Sequence, residues 1–164
     1  MDAETSFKHY AELLSGMNRA VMKGYRAPHK LVLLMAICEL LEEGKISNNQ
    51  IPLTKELENK FKDLWRVYVD SDEVMPHDHV AEELFGGEKK TYPFKCNIAN
   101  PFYHLSGEPF WMLKKSAIWR QRTSWSVAAL RSDYDYAEID ADLFSIMNDS
   151  TLREQIVALL ISMI

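Results

Sequence analysis

Across residues 31–41 the sequence reads Leu-Val-Leu-Leu-Met-Ala-Ile-Cys-Glu-Leu-Leu, with Glu39 as its single charge. Wound as an α-helix, this run turns an apolar side chain to nearly every face, so it cannot lie on a surface. It is too short to cross a membrane, which takes about 18 or more apolar residues. The run therefore predicts a helix at the centre of a protein core, with other elements packed around it. Pro28 fits the first turn of that helix, where backbone N–H groups have no intrahelical partner. Glu42, Glu43 and Gly44 end it.

The flanking pattern supplies the packing partners. Residues 4–20 predict an amphipathic helix, with Phe7, Tyr10, Ala11 and Leu14 at helical spacing. Residues 23–28 read as a loop. Residues 45–52 form a connection, with a short extended piece at 49–53. Thr54 caps a helix to about residue 69 that carries Leu57, Phe61, Leu64, Trp65 and Tyr68 on one side. Residues 70–90 look irregular, with a short helix near 80–85. Two aromatic runs, 101–105 and 109–113, flank Ser106-Gly107-Glu108 and read as a β-hairpin. After residue 123 the pattern is helical: 126–131, 140–147, and a last helix with Thr151 and Glu154 as a capping box. That helix carries Leu152, Ile156, Leu159, Leu160 and Met163. The expectation is one α+β, mostly helical domain over all 164 residues: a helical bundle around a buried central helix, with a small β-hairpin. The apolar end at Ile164 reads as a piece of a longer protein.

The net charge of −5 argues at first against nucleic acid. Its distribution argues the other way. Residues 19–30 hold Arg19, Lys23, Arg26 and Lys30 and no acid. Residues 86–122 hold Lys89, Lys90, Lys95, Lys114, Lys115, Arg120 and Arg122 against Glu88 and Glu108. A chain segregated in this way can present a basic face while being acidic overall. Separate solvated surfaces explain the same charges.

Catalytic patterns are missing from the sequence. Cys38 and Cys96 are far apart and form no Cys-x-x-Cys pair, which fits a reducing cytosol better than a zinc site. The start, Met1-Asp2-Ala3-Glu4, has no apolar stretch behind it and gives no expectation of a secretory leader. No phosphate loop, nucleophile elbow or dinucleotide fingerprint occurs. His77, Asp78 and His79 alternate, but in a polar loop rather than on a strand, so a solvated loop is the plainer reading. Glu42-Glu43 and Glu82-Glu83 read as ordinary helix surface. No metal, cofactor or catalytic residue is expected.

Two segments carry more. Tyr25-Arg26-Ala27-Pro28-His29-Lys30 places cations at the mouth of the apolar helix, where unpaired N–H groups and the dipole favour an anion. Taken alone, a capped core helix with incidental charges is the plainer reading of this segment. Asn100-Pro101-Phe102-Tyr103-His104-Leu105 leads into Gly107 and Phe110-Trp111-Met112-Leu113. An aromatic hairpin packed on the core explains that segment, with Phe102, Leu105, Trp111 and Leu113 turned inward.

Together, Ala-Pro-His-Lys before a leucine-rich helix and Pro-Phe-x-x-Leu-x-x-x-x-x-Trp-x-Leu resemble the sulfur-binding domain of type IV restriction endonucleases that recognise phosphorothioated DNA. The resemblance covers most of residues 7–163, including Ile51-Pro-Leu-Thr-Lys-Glu-Leu and the tail from Tyr136 to Phe144. It implies double-stranded DNA with a phosphorothioate linkage as partner and a nuclease domain beyond this chain. It also implies a sulfur pocket of His29, Lys30, Asn100, Pro101 and His104. Tyr25, Arg26, Lys89, Lys90, Lys95, Lys114 and Lys115 are the expected DNA contacts. The family commonly has Tyr where Asn100 stands. A second Tyr-Pro-Phe occurs at Tyr92-Pro93-Phe94, but Leu105, Gly107, Trp111 and Leu113 favour the Pro101 register. Residues 70–95 read as an insertion that reaches DNA. Two rivals stay open: a protein-interaction module that docks through the aromatic hairpin, and a metal enzyme using His77, Asp78, His79 and His104.

Overall fold

The computed structural model describes residues 2–70 and 93–164. His77, Asp78, His79, Lys89, Lys90, Tyr92 and the short helix expected near 80–85 lie outside the described residues, as does most of the expected insertion at 70–95.

Helix α1 spans Ala3–Ser15, and Asp2 caps it by accepting from the Thr5 N–H. It stops at Gly16, short of the expected residue 20. Strands β1 (Val21–Met22) and β2 (Tyr25–Arg26) pair antiparallel. Lys23 and Gly24 join them with φ of 52° and 83°, both left-handed, as tight hairpins require. The segment expected to be a loop is therefore a β-hairpin. Helix α2 (His29–Glu42) is the central helix foreseen from its apolar run; Leu31, Val32, Leu33, Ala36 and Ile37 are wholly buried. Strand β3 (Gln50–Ile51) matches the extended piece. Helix α3 (Lys55–Tyr68) starts as expected, with Thr54 accepting from the Leu57 N–H, and buries Leu57, Phe61, Leu64 and Trp65.

The aromatic hairpin is not formed. Residues Ala99–His104 are helix α4, continued by a short 3-10 turn at Leu105–Gly107, and only then comes strand β4 (Trp111–Lys115). The physical reason is a helical spacing: Ile98, Phe102 and Leu105 stand at i, i+4 and i+7, and all three are buried. Pro101 sits in the first turn, where its missing N–H costs nothing. The Asn97 side chain accepts from the Ala99 N–H and helps start the helix.

Helix α5 (Val127–Asp133) is capped by Ser126. Strand β5 (Tyr134–Ile139) follows at once, where only helix was expected. It lies between β3 and β4 in an antiparallel three-stranded sheet. Lys114 pairs with Tyr136 and Lys115 with Tyr134, so Asp135 is an extra residue on β5. This bulge breaks the strand's period of two: Tyr134 and Ala137 are both buried although three apart. Helix α6 (Ala141–Asn148) and helix α7 (Ser150–Ser162) close the chain. Asp149 caps α7 through the Leu152 N–H, so Thr151, the expected cap, is the second residue of the helix rather than its cap. Among the described residues the fold is α+β and mostly helical, with seven α-helices, of which α2 is the central one. No helix among them is long and apolar enough to cross a membrane.

Candidate functional site

A cavity of about 580 Å³ opens at the N-terminal end of α2. One wall is the turn after α1, with Asn18, Arg19 and Ala20, continued by Met22 of β1. The start of α2 supplies Ala27, His29 and Lys30. Helix α4 and the turn after it supply Asn100, His104, Gly107 and Glu108, and Phe94 completes the lining. Four of the five residues expected in a pocket thus share one cavity: His29, Lys30, Asn100 and His104.

Pro101 does not line it. On a helix the next residue points about 100° away. Asn100 and His104, at i and i+4, therefore turn toward the cavity while Pro101 turns with Phe102 into the core. The apolar surface of the cavity comes instead from Phe94, Met22, Ala27 and Ala20. Phe94 belongs to the second Tyr-Pro-Phe, the one sequence reasoning set aside. Arg19 and Glu108 were counted as charges but not as site residues; no spacing signal in the sequence links either to the other walls.

The cations need a similar correction. Lys30 is not poised alone at the helix mouth. Its Nζ donates to the Asn18 carbonyl at 2.7 Å and to Glu108 Oε1 at 3.0 Å. The same Oε1 accepts from the Asn18 N–H at 2.9 Å. Side chains of Lys30 and Glu108 are only 11% and 10% exposed. Arg19 Nη1 reaches the carbonyls of Ala27 and Met163 at 3.4 Å, which holds its guanidinium along the cavity wall. Tyr25, an expected DNA contact, is buried in the core. Arg26, Lys95, Lys114 and Lys115 are exposed. Lys115 places its Nζ 3.9 Å over the Trp119 ring. Arg122 is committed to structure: it grips the wholly buried Asp133 with two hydrogen bonds of 2.6 and 3.1 Å.

His29 stands between the cavity and the core. Its ring packs against Trp65 at 4.7 Å and edge-on to Phe94 at 5.8 Å. Nε2 lies 2.8 Å from the Lys95 carbonyl, which can only accept, so Nε2 carries the proton. Nδ1 is buried with no hydrogen-bond partner among the described residues. Burial lowers the His29 pKa from its usual 6.5, and the Lys95 carbonyl offsets this in part. The ring is therefore held neutral near pH 7, as an apolar wall rather than a cation.

This arrangement has a pH consequence. The unfolded chain protonates His29 near 6.5 while the folded chain resists, so stability present above about pH 6.5 is lost as the pH falls below it. The Arg122 guanidinium holds Asp133 below its usual 3.8. Burial alone would raise Glu58, but Lys55, Lys62 and Arg131 hold it below 4.5. Both depressed carboxylates stabilise the fold above those values and lose the contribution as they protonate. Urea midpoints should therefore fall in two stages, first below about pH 6.5 and again below about pH 4.5. His29→Gln should abolish the first stage; an unchanged midpoint between about pH 7.5 and about pH 5 in the wild-type chain contradicts this account of His29.

Of the aromatic residues in the segment 101–113, Tyr103 is half-buried and the others belong to the core. Phe102, Phe110 and Trp111 are at most 3% exposed. Among the described residues no group of three or more His, Cys, Asp and Glu side chains could hold a metal ion. Neither a protein-family model nor a curated protein gives a significant match to this chain.

Proposed function

We propose that this chain is a DNA-binding module, similar to the sulfur-binding domain of phosphorothioate-dependent restriction endonucleases. In this reading it carries no nuclease of its own and directs one elsewhere in a longer protein to modified duplex DNA. The observation that supports the reading best is the convergence of His29, Lys30, Asn100 and His104, from two distant segments, on one cavity. They meet there beside the apolar surfaces of Phe94, Met22 and Ala27.

The chemistry of the ligand fits such a lining. A phosphorothioate keeps the negative charge of a phosphate, but its sulfur is larger, softer and a poorer hydrogen-bond acceptor. Sulfur loses little on leaving water for the faces of Phe94 and Met22. A phosphate oxygen in the same place would lose hydration without replacement bonds, at a cost of about 1–3 kcal/mol. The neutral His29 ring extends the apolar side. Asn100 and His104, exposed on one face of α4, can donate to the remaining phosphate oxygens. Exposed Lys95, Lys114 and Lys115 supply backbone contacts, which position a protein without reading sequence. Arg26 has the fork geometry to read a guanine edge. Lys89 and Lys90 carry the same backbone role in this reading.

The test compares one duplex sequence with and without a single phosphorothioate. The expected preference is roughly 5- to 150-fold for the modified duplex, the equivalent of the desolvation cost above. Equal affinity for the two duplexes overturns sulfur recognition and leaves general DNA binding.

A further inference from the structure

Glu108 is a carboxylate in a cavity that should receive an anion. The geometry says what it does there. Its Oε1 accepts from Lys30 Nζ at 3.0 Å and from the Asn18 N–H at 2.9 Å. Lys30 spends a second N–H on the Asn18 carbonyl at 2.7 Å. Two of the three ammonium donors are therefore engaged, and the charge is answered before any ligand arrives. The pair is nearly buried, so water screens it weakly.

We propose that Glu108 determines the ligand selectivity of this cavity, because the Lys30–Glu108 ion pair across its lining withholds Lys30 from hydrated oxyanions. This inference rests on the sulfur reading above for its preferred ligand. An ordinary phosphate oxygen needs strong donors in return for its lost water. A bare lysine would provide one and would draw plain phosphate into the cavity. With the lysine engaged, the cavity rewards a ligand atom that gains from apolar contact with Phe94 and Met22 and needs few donors. A phosphorothioate sulfur is such an atom. Glu108 thus reduces affinity for the common backbone more than for the modified one, which is discrimination by a repulsive element.

Glu108→Gln tests this with little change of shape, since the amide oxygen can still accept from the Asn18 N–H. Binding of phosphorothioated duplex, plain duplex and inorganic phosphate is measured for the wild-type and variant chains across a salt series. The variant should bind plain duplex about tenfold more tightly, gain less on the modified duplex, and so lose most of its preference. Its salt slope on plain duplex should steepen by roughly one phosphate contact. Glu108→Ala, which removes the carboxylate without adding an amide, should shift plain-duplex binding the same way and serves if the first variant fails to fold. Unchanged or weaker plain-duplex binding by a folded variant overturns the role of Glu108. A wild-type chain without preference, combined with a variant that gains plain-duplex affinity, overturns sulfur recognition and keeps Glu108 as the gate against oxyanions.

Discussion

Trp111→Ala should cost about 3–5 kcal/mol of folding stability, the usual range for emptying a buried tryptophan site. Trp111 is 3% exposed and meets Phe102 edge-on at 5.6 Å. Its Nε1–H donates to the Phe102 carbonyl at 3.0 Å, inside the core. The backbone of Trp111 pairs with Ile139 in β5. One side chain thus binds α4 to the sheet, and α4 is the element that carries Asn100 and His104 to the cavity. Removing it leaves a void and takes a donor away from a buried carbonyl, and it loosens one cavity wall. Trp111→Phe separates the two effects: bulk is mostly kept, the donor is lost, and the cost should fall to about 1–3 kcal/mol. Urea unfolding measures both. A cost below about 1 kcal/mol for Trp111→Ala would show that α4 is held by other contacts.

The helices were legible where one rule dominated. The run from Leu31 to Leu41 admits only a buried helix, and α2 is that helix. Thr54 announced α3, and the amphipathic spacing of Leu57, Phe61, Leu64 and Trp65 carried it to Tyr68. The β structure was read less well because each strand breaks its own signal. Strand β5 has acids at Asp135 and Glu138, and the bulge at Asp135 disrupts the alternation that would have revealed it. Aromatic content around Gly107 imitates a hairpin, while Ile98, Phe102 and Leu105 carry the spacing of a helix. The true hairpin at residues 21–26 has strands of two residues each, too short for any periodicity.

The cavity was half legible for a related reason. Motif order brought His29, Lys30, Asn100 and His104 forward, and all four line it. The motif named Pro101 as well, but a helical α4 turns residue 101 away from the face shared by 100 and 104. A strand would likewise turn residue 101 to the face opposite 100 and 104, so the grouping of all three in one pocket, taken from the motif, is what fails. Phe94, Arg19 and Glu108 come from segments that meet the others only in three dimensions. Their roles follow from packing of the α1–β1 turn against the end of the 3-10 turn, which no local pattern encodes.

Lys30→Ala should weaken binding of modified and plain duplexes together, by about a hundredfold. The loss is larger than one missing contact because of what it leaves behind. Glu108 would keep only the Asn18 N–H as partner and would present an unopposed carboxylate to the incoming backbone. A like charge at roughly 6 Å in an effective dielectric of about 20 repels by about 3 kcal/mol, which is about a hundredfold in affinity. Stability should fall too, toward the lower end of the about 3–5 kcal/mol seen when one partner of a buried pair is removed. The lower end applies because the space that the Lys30 side chain vacates joins the cavity, which lets water reach the freed carboxylate. Thermal unfolding and duplex titrations on the same preparation read the two effects separately. A folded Lys30→Ala chain that binds both duplexes as the wild type does would mean that DNA never approaches this cavity. A chain that loses only the modified duplex would mean that Lys30 touches the sulfur directly, against its engagement with Glu108.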